Sequence, residues 1–260
     1  MSSSSDTPPA HDSASTQVWT PPLGRILISP AEVHVWRVPL DSTDAVLQPL
    51  AATLSLDERA RAEKFFFDRD RNAYVTARGV LRELLAGYLH RSPSELQFAY
   101  ESRGKPFLAH PSSDQPLNFN VAHSRNIALL AFSRGISLGV DIEFIRTDIA
   151  SEEIATRYFA TQEVAELRAL PAEQRPAAFF LAWTRKEAYV KALGDGLQIP
   201  LASFCVSLTP EQPATLQSAD SSRWTLRNLV PGSGYAGAVV AEGKNWRLRC
   251  FDWQAPQPEL

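Results

Sequence analysis

The sequence predicts a mixed α/β (α+β) fold made of two similar halves with a cleft at their join. Three observations predict it. The order strand, short helix, long helix, strands occurs twice, with a period of about 100 residues. Residues 179–193 place Phe179, Trp183, Val190 and Leu193 on one helical face, whereas "EVHVWRVPL" (32–40) is apolar at alternate positions, as a strand requires. With 260 residues, 44% hydrophobic and 21% charged, the chain is long enough for one large domain or two small ones around an ordinary core. The boundaries read from this order are a disordered tail over 1–24, a first half over 25–137, a second half over 138–255 and a short tail over 256–260.

Taken in order, "MSSSSDTPPAHDSASTQ" has a Ser, Pro and Thr bias and neither a basic start nor an apolar run, so it reads as a flexible tail and not as a secretory signal. After strand 32–40, residues 54–89 are helix-rich, with Ser55 as N-cap ahead of Asp57 and Glu58. "LQFAYESRGKPFLA" reads as strand, Gly-centred turn and strand. "PLNFNVAHS" and "IALLAFS" add two more strands, with Arg125 and Asn126 in the turn between them. The second half repeats the order with strand "SLGVDIEFI", helix-rich "ASEEIATRYFATQEVAELRAL" and the long helix "AAFFLAWTRKEAYVKALG", stopped by Gly-Asp-Gly at 194–196. "SFCVSL", "WTLRNL", "YAGAVVA" and "WRLRCFDW" then supply strands.

The net charge of −3 excludes a general nucleic-acid binder, whose phosphate contacts need a basic surplus, so an anionic substrate has to be met locally. No run of about 18 apolar residues exists to span a membrane. Cys205 and Cys250 have no metal-ligand spacing and read as small buried hydrophobes in a reducing, cytoplasmic setting.

Several side chains are candidates for chemistry. In "LGVDIEF", Leu138, Val140, Ile142 and Phe144 take one strand face while Asp141 and Glu143 take the other, spaced roughly 7 Å apart along the strand. Such a pair suits one hard cation such as magnesium, and equally a half-exposed strand with its acids in water. His123 is in phase with Phe119 and Val121, which fits either a core histidine or a phosphate donor at a strand end. Lys105 follows a glycine in a turn, where its ammonium either meets solvent or reaches an anion. Arg61 and Arg78 belong to two charge-dense helices, and no glycine-rich phosphate loop is present. On the long helix, Glu187 and Lys191 stand one turn apart on the flank of the apolar face and Lys186 lies inside it. That arrangement suggests polar heads projecting into a cleft, with the Lys186 stem along apolar surface and its ammonium at the cleft mouth. As a plain surface feature, Glu187 and Lys191 form an ordinary solvated ion pair.

Taken together and in order, "GKPFL" (104–108), "NFNVAHS" (118–124), "GVDIE" (139–143) and "FFLAWTRKEAYVKALGDGL" (179–197) resemble the Sfp-type 4′-phosphopantetheinyl transferases. The hallmark pair, a G-[IV]-D-[IV]-E strand and a later W-x-x-K-E-[AS]-x-x-K helix, is intact, and the likeness covers about residues 25–255. The resemblance implies transfer of the phosphopantetheine arm of coenzyme A to a serine of an apo acyl or peptidyl carrier protein, with release of adenosine 3′,5′-bisphosphate. It implies two pseudosymmetric halves enclosing coenzyme A and magnesium, complete within a monomer. Carried over by position, Asp141, Glu143 and Glu187 are the implied magnesium ligands and Lys191 the contact to the transferring phosphate. His123 and Arg61 are implied near the 3′-phosphate, Lys105 near the coenzyme's phosphates, and Arg78 near the nucleotide. One departure is Ala122, where many relatives carry serine, a loss of about 1 kcal/mol of hydrogen bonding.

On this reading Glu187, directly or through a metal-bound water, takes the proton of the acceptor serine, while the cation, Lys191 and His123 neutralise the pyrophosphate. A magnesium-dependent phosphohydrolase and a non-catalytic coenzyme A binder are the competing classes. The first releases the phosphopantetheine to water without a carrier, and the second modifies no serine. The arginine-rich first half and residues 147–170 are candidate surfaces for an acidic carrier helix.

Overall fold

The computed structural model describes residues 17–22, 24, 26–101, 104–110, 115–149, 151–194 and 199–255. Residues 1–16 and 256–260 of the expected tails, and Asp195 and Gly196 of the expected helix stop, lie outside them. The elements run β1 (Glu32–Pro39), α1 (Asp44–Thr53), α2 (Leu56–Ala62), α3 (Asp68–Leu89), β2 (Phe98–Tyr100), β3 (Pro106–Leu108), β4 (Leu117–Ser124), β5 (Ile127–Arg134) and β6 (Leu138–Phe144). They continue with α4 (Ser151–Tyr158), α5 (Thr161–Ala169), α6 (Arg175–Leu193), β7 (Cys205–Val206), β8 (Leu216–Gln217), β9 (Trp224–Leu229), β10 (Tyr235–Glu242) and β11 (Arg247–Asp252). The mixed α/β class, and the double run of strand, short helices, long helix and strands, match the sequence pattern.

Two sheets stack face to face, in the orders β11-β1-β5-β4 and β6-β10-β9, while β2-β3 and β7-β8 form separate ribbons. Strand alternation sorts the core into layers. Val33, Val35, Leu129 and Ala131 of the first sheet meet Leu138, Val140, Ile142, Val239 and Ala241 of the second, forming the core between the sheets. The opposite faces carry helices. Trp36, Val38, Leu130 and Phe132 pack under α1 and α3, and Ala236, Ala238 and Val240 pack under α6, with α4 and α5 joining that cluster. The order is therefore helix, sheet, sheet, helix.

Helix α1 has no counterpart in the sequence reading because Pro49 inside it breaks the pattern. Packing holds it instead. Leu47 and Leu50 are buried against α3, where Gly79 admits them: a Cβ there would stand 2.7 Å from the Leu50 Cβ. Ser55 is the N-cap of α2, as expected, and the Glu58 carboxylate accepts its backbone N–H at 2.9 Å.

Two boundaries differ from expectation. Strand β11, assigned by position to the second half, pairs in parallel with β1 of the first, from Glu32 opposite Arg247 to Arg37 opposite Asp252. Arg37 holds it by two charge-assisted bonds to Asp252, of 2.7 and 2.9 Å. Residues 17–22, placed by sequence in the tail, lie along β11: Thr20 bridges Phe251, and the Trp19 indole N–H donates to the Val230 carbonyl at 2.8 Å. A polar-rich composition missed this because one indole and one backbone bridge anchor the segment. Cys250 is buried and Cys205 half-buried, both as free thiols.

A buried polar string crosses the first sheet. The Tyr88 hydroxyl accepts the Trp36 indole N–H at 2.9 Å and shares a hydrogen bond of 2.8 Å with His34 Nδ1. His34 is fully buried, and burial drives its pKa from 6.5 down to about 4 against the opposing pull of Glu32. Between those values the unfolded chain binds the proton and the folded protein does not, so stability falls as pH drops from 6.5 toward 4. Denaturant titrations from pH 7 to pH 4 should show a steeper decline for the wild type than for His34→Gln, by up to about 1.4 kcal/mol per pH unit. Parallel slopes would refute this.

Candidate active site between β6 and α6

Helix α6 begins with Pro176 in its first turn and ends at Gly194 in the left-handed region (φ 77°), the first residue of the expected stop. Its backbone rests directly on β6. A Cβ on Gly139 would stand 2.2 Å from the Ala188 carbonyl oxygen and 2.4 Å from the Ala192 nitrogen, so only glycine allows this approach. The polar face of β6 thereby meets the flank of α6, and Asp141 is brought to Lys191.

Asp141 is 6% exposed. Its Oδ1 accepts from the Lys191 ammonium at 2.7 Å, which also donates to the Val140 carbonyl at 3.3 Å, while the buried Oδ2 has no hydrogen-bond partner. Burial raises the Asp141 pKa to about 7; Lys191 opposes the rise, and Glu143 and Glu187 add to it. Burial likewise raises Glu187, again opposed by Lys191 and reinforced by Glu143. The three expected carboxylates therefore share one electrostatic field around one lysine. They do not converge into a preformed cage: among the described residues no three His, Cys, Asp or Glu side chains are arranged to hold a metal. Lys191 occupies one Asp141 oxygen, and Ser124 donates to Glu143 Oε2 at 3.0 Å.

Strand β4 lies beside β6, with side chains in place of a backbone ladder. Asn120 Oδ1 accepts the Val140 N–H at 2.9 Å, and the Ser124 hydroxyl accepts the Phe144 N–H at 3.0 Å. His123, between these anchors, is exposed at the strand end, which removes the core reading of that residue and leaves its ring open to a ligand. Ala122 is buried between the sheets. Lys105, at the β2–β3 turn, donates to the Lys191 carbonyl at 2.7 Å, tying the hairpin to the last turn of α6. Burial lowers the Lys105 pKa, with Glu101 opposing and Lys191 contributing. Lys105 and the Lys191–Asp141 pair are thus adjoining parts of one site.

The two arginines lie elsewhere. Arg78 ion-pairs with Glu58, donates to the Tyr100 hydroxyl at 3.2 Å and stacks 4.0 Å over Phe98. Glu58 is 1% exposed and also accepts from Arg82 at 2.7 Å; burial alone would raise it, but Arg82 and Arg78 hold it below the ordinary carboxylate range. Arg78, expected near a nucleotide, braces α2 against α3 through Glu58. Arg61 is exposed with its guanidinium 5.6 Å from the Tyr74 ring centre, in the Glu58–Arg78 neighbourhood and not in the carboxylate group.

Lys186 corrects a second expectation. Its ammonium is not at a cleft mouth; the side chain is fully buried, paired with Glu163 at 2.7 Å and donating to the Leu201 and Phe204 carbonyls at 2.8 and 2.7 Å. Glu163 in turn accepts the Ala160 and Val206 N–H groups at 2.9 and 2.8 Å. Arg185 is buried as well, bound by Asn228 and Ser207. Sequence reasoning missed Gly139, Asn120 and Ser124 as positioning elements. For Lys186 the available signal is a charged residue in phase with the core, which demands a buried partner such as Glu163.

Gly139→Ala should lower unfolding free energy by at least about 1–3 kcal/mol, read by urea denaturation, because α6 must retreat from β6. A neutral effect would mean that the helix can shift freely. Lys186→Met should cost about 3–5 kcal/mol by leaving Glu163 buried and unpaired; a loss under about 1 kcal/mol would contradict the pair's structural role.

Residues 137–240, from β6 through most of β10, match the family model "4'-phosphopantetheinyl transferase superfamily". Residues 40–134 match "4'-phosphopantetheinyl transferase, N-terminal". The chain is 43% identical over 235 residues to the 4'-phosphopantetheinyl transferase HetI of Nostoc sp., covering 90% of this chain and 98% of that protein. It is 32% identical to the 4'-phosphopantetheinyl transferase psf-1 of Bacillus pumilus, over 70% of this chain and 76% of that protein. Its identity to 4'-phosphopantetheinyl transferase Sfp of Bacillus subtilis is 28%, over 72% and 82%. A four-layer fold whose acidic strand and lysine helix meet at one buried aspartate, matched along nearly its full length by such a relative, belongs to the 4′-phosphopantetheinyl transferase superfamily.

Proposed function

We propose that this transferase moves the 4′-phosphopantetheine arm of coenzyme A to the serine of an apo acyl or peptidyl carrier protein with magnesium held by Asp141, Glu143 and Glu187. The observation that carries the reading is Asp141: a buried carboxylate with an unpartnered Oδ2, its pKa raised to about 7 by burial and by two neighbouring acids. Three carboxylates against one lysine leave surplus negative charge, which a hard divalent cation balances. Magnesium needs only one or two carboxylates, completing its shell with water and substrate phosphate, so a preformed cage is not required. When bound, it supplies Lewis-acid neutralisation of the pyrophosphate oxygens.

The chain's own groups account for the rest. Lys191 stabilises charge on the transferring phosphoryl group, and Lys105 and His123 meet the phosphates of the departing bisphosphate. The serine oxygen forms a bond to the pantetheine-bearing phosphorus as the bond to the bisphosphate oxygen breaks. Glu187, directly or through a metal-bound water, takes the hydroxyl proton. Asp141, Glu143, Glu187, Lys191, Lys105 and His123 all come from one chain, which supports a monomer. No helix among the described residues is long and apolar enough to cross a membrane.

The test is intact-mass analysis of apo carrier proteins incubated with the protein, coenzyme A and magnesium, with a chelator arm. The arm should appear on the carrier only when the divalent ion is present. Phosphopantetheine released to water without a carrier would overturn the reading. Glu187→Gln should fold normally and lose about 10²- to 10⁴-fold in turnover; wild-type turnover in this variant would remove Glu187 from the base role.

A further inference from the structure

We propose that Ser124 is a positioning residue: its hydroxyl joins the edges of the two sheets and fixes the Glu143 carboxylate. The proposal rests on the reading that Glu143 helps to hold the divalent ion.

The hydroxyl has one proton and two lone pairs, and both functions are in use. It accepts the Phe144 backbone N–H at 3.0 Å, so its proton is directed to Glu143 Oε2, also at 3.0 Å. An ionised carboxylate only accepts, so the direction of this bond is unambiguous. The serine is itself held. The following turn places Arg125 in the left-handed region with its guanidinium 3.5 Å over the Phe144 ring, and Asn126 Oδ1 accepts the Tyr235 hydroxyl at 2.5 Å. Drift of Ser124 away from β6 would break these contacts together.

Asn120 provides an internal comparison. It joins β4 to β6 in the same way, accepting Val140 N–H at 2.9 Å, four residues before Ser124 on one strand and four before Phe144 on the other. The structure gives it no bond to a carboxylate of the site. Loss of Asn120 therefore reports the cost of unfastening the strands, whereas loss of Ser124 reports that cost plus release of Glu143. Residues that orient a metal ligand through a hydrogen bond commonly affect metal affinity by about 10- to 100-fold.

The experiment compares wild type, Ser124→Ala, Ser124→Thr and Asn120→Ala. Mn2+ uptake in the presence of coenzyme A is read by electron paramagnetic resonance, alongside thermal melting and the metal dependence of arm transfer. Ser124→Ala should raise the half-saturating Mn2+ concentration about tenfold, with turnover recovering as metal is added. Ser124→Thr, which keeps the hydroxyl, should return most of the shift. Asn120→Ala should lower the melting temperature and leave the Mn2+ midpoint within about twofold of wild type. An unmoved midpoint in Ser124→Ala, or an equal shift in Asn120→Ala, overturns the inference while the wild type still binds and transfers. A wild-type protein that takes up no Mn2+ overturns the metal reading and this inference with it.

Discussion

The site depends on one contact, the seating of the α6 backbone on Gly139. Had β6 carried any side chain at that position, α6 would stand farther from the sheet and the Lys191–Asp141 bond of 2.7 Å would not form. The constraint acts through backbone atoms, so it leaves little slack: a rigid strand and a rigid helix fix where four charged side chains emerge. Preorganisation of this sort places charges where they are needed before a ligand arrives, and its cost is met in folding and not during the reaction.

The rest of the second half holds α6 in that seat. Lys186 and Arg185, adjacent in sequence and both buried, project to different partners: Lys186 to Glu163 and two carbonyls, Arg185 to Asn228 and Ser207. Each buried cation is surrounded by acceptors, as low dielectric surroundings demand. The rotation of α6 about its axis is thereby set, and with it the direction in which Glu187 and Lys191 point. The first half contributes by a lighter touch, through Lys105 at the end of α6 and through Asn120 and Ser124 at the edge of β6.

Periodicity along the chain reports which face a residue occupies. Asp141 and Glu143 lie opposite Leu138, Val140 and Ile142, and the β4–β5 hairpin turns at Arg125 and Asn126. Periodicity does not report partners. Lys186 was seen in phase with the core, but Glu163 lies on another helix, so its burial as an ion pair was out of reach. The Arg78 partner is hidden from periodicity in the same way, since Glu58 belongs to the preceding helix. His123 sits on the apolar phase of β4 yet one residue from the turn, where the core has already ended. Nor does an alternating pattern say which sheet a strand joins, so β11 was grouped with its neighbours in sequence.

That last strand has a bearing on how the molecule is made. Its pairing with β1 spans most of the polypeptide, so loop closure across this distance must precede any ladder bond, and such long-range parallel pairing is slow. During synthesis from the N-terminus, β1 keeps one unpaired edge until residues 247–252 leave the ribosome. A nascent chain in that condition is open to association with other strands, and emergence of β11 closes the exposure by supplying the missing partner.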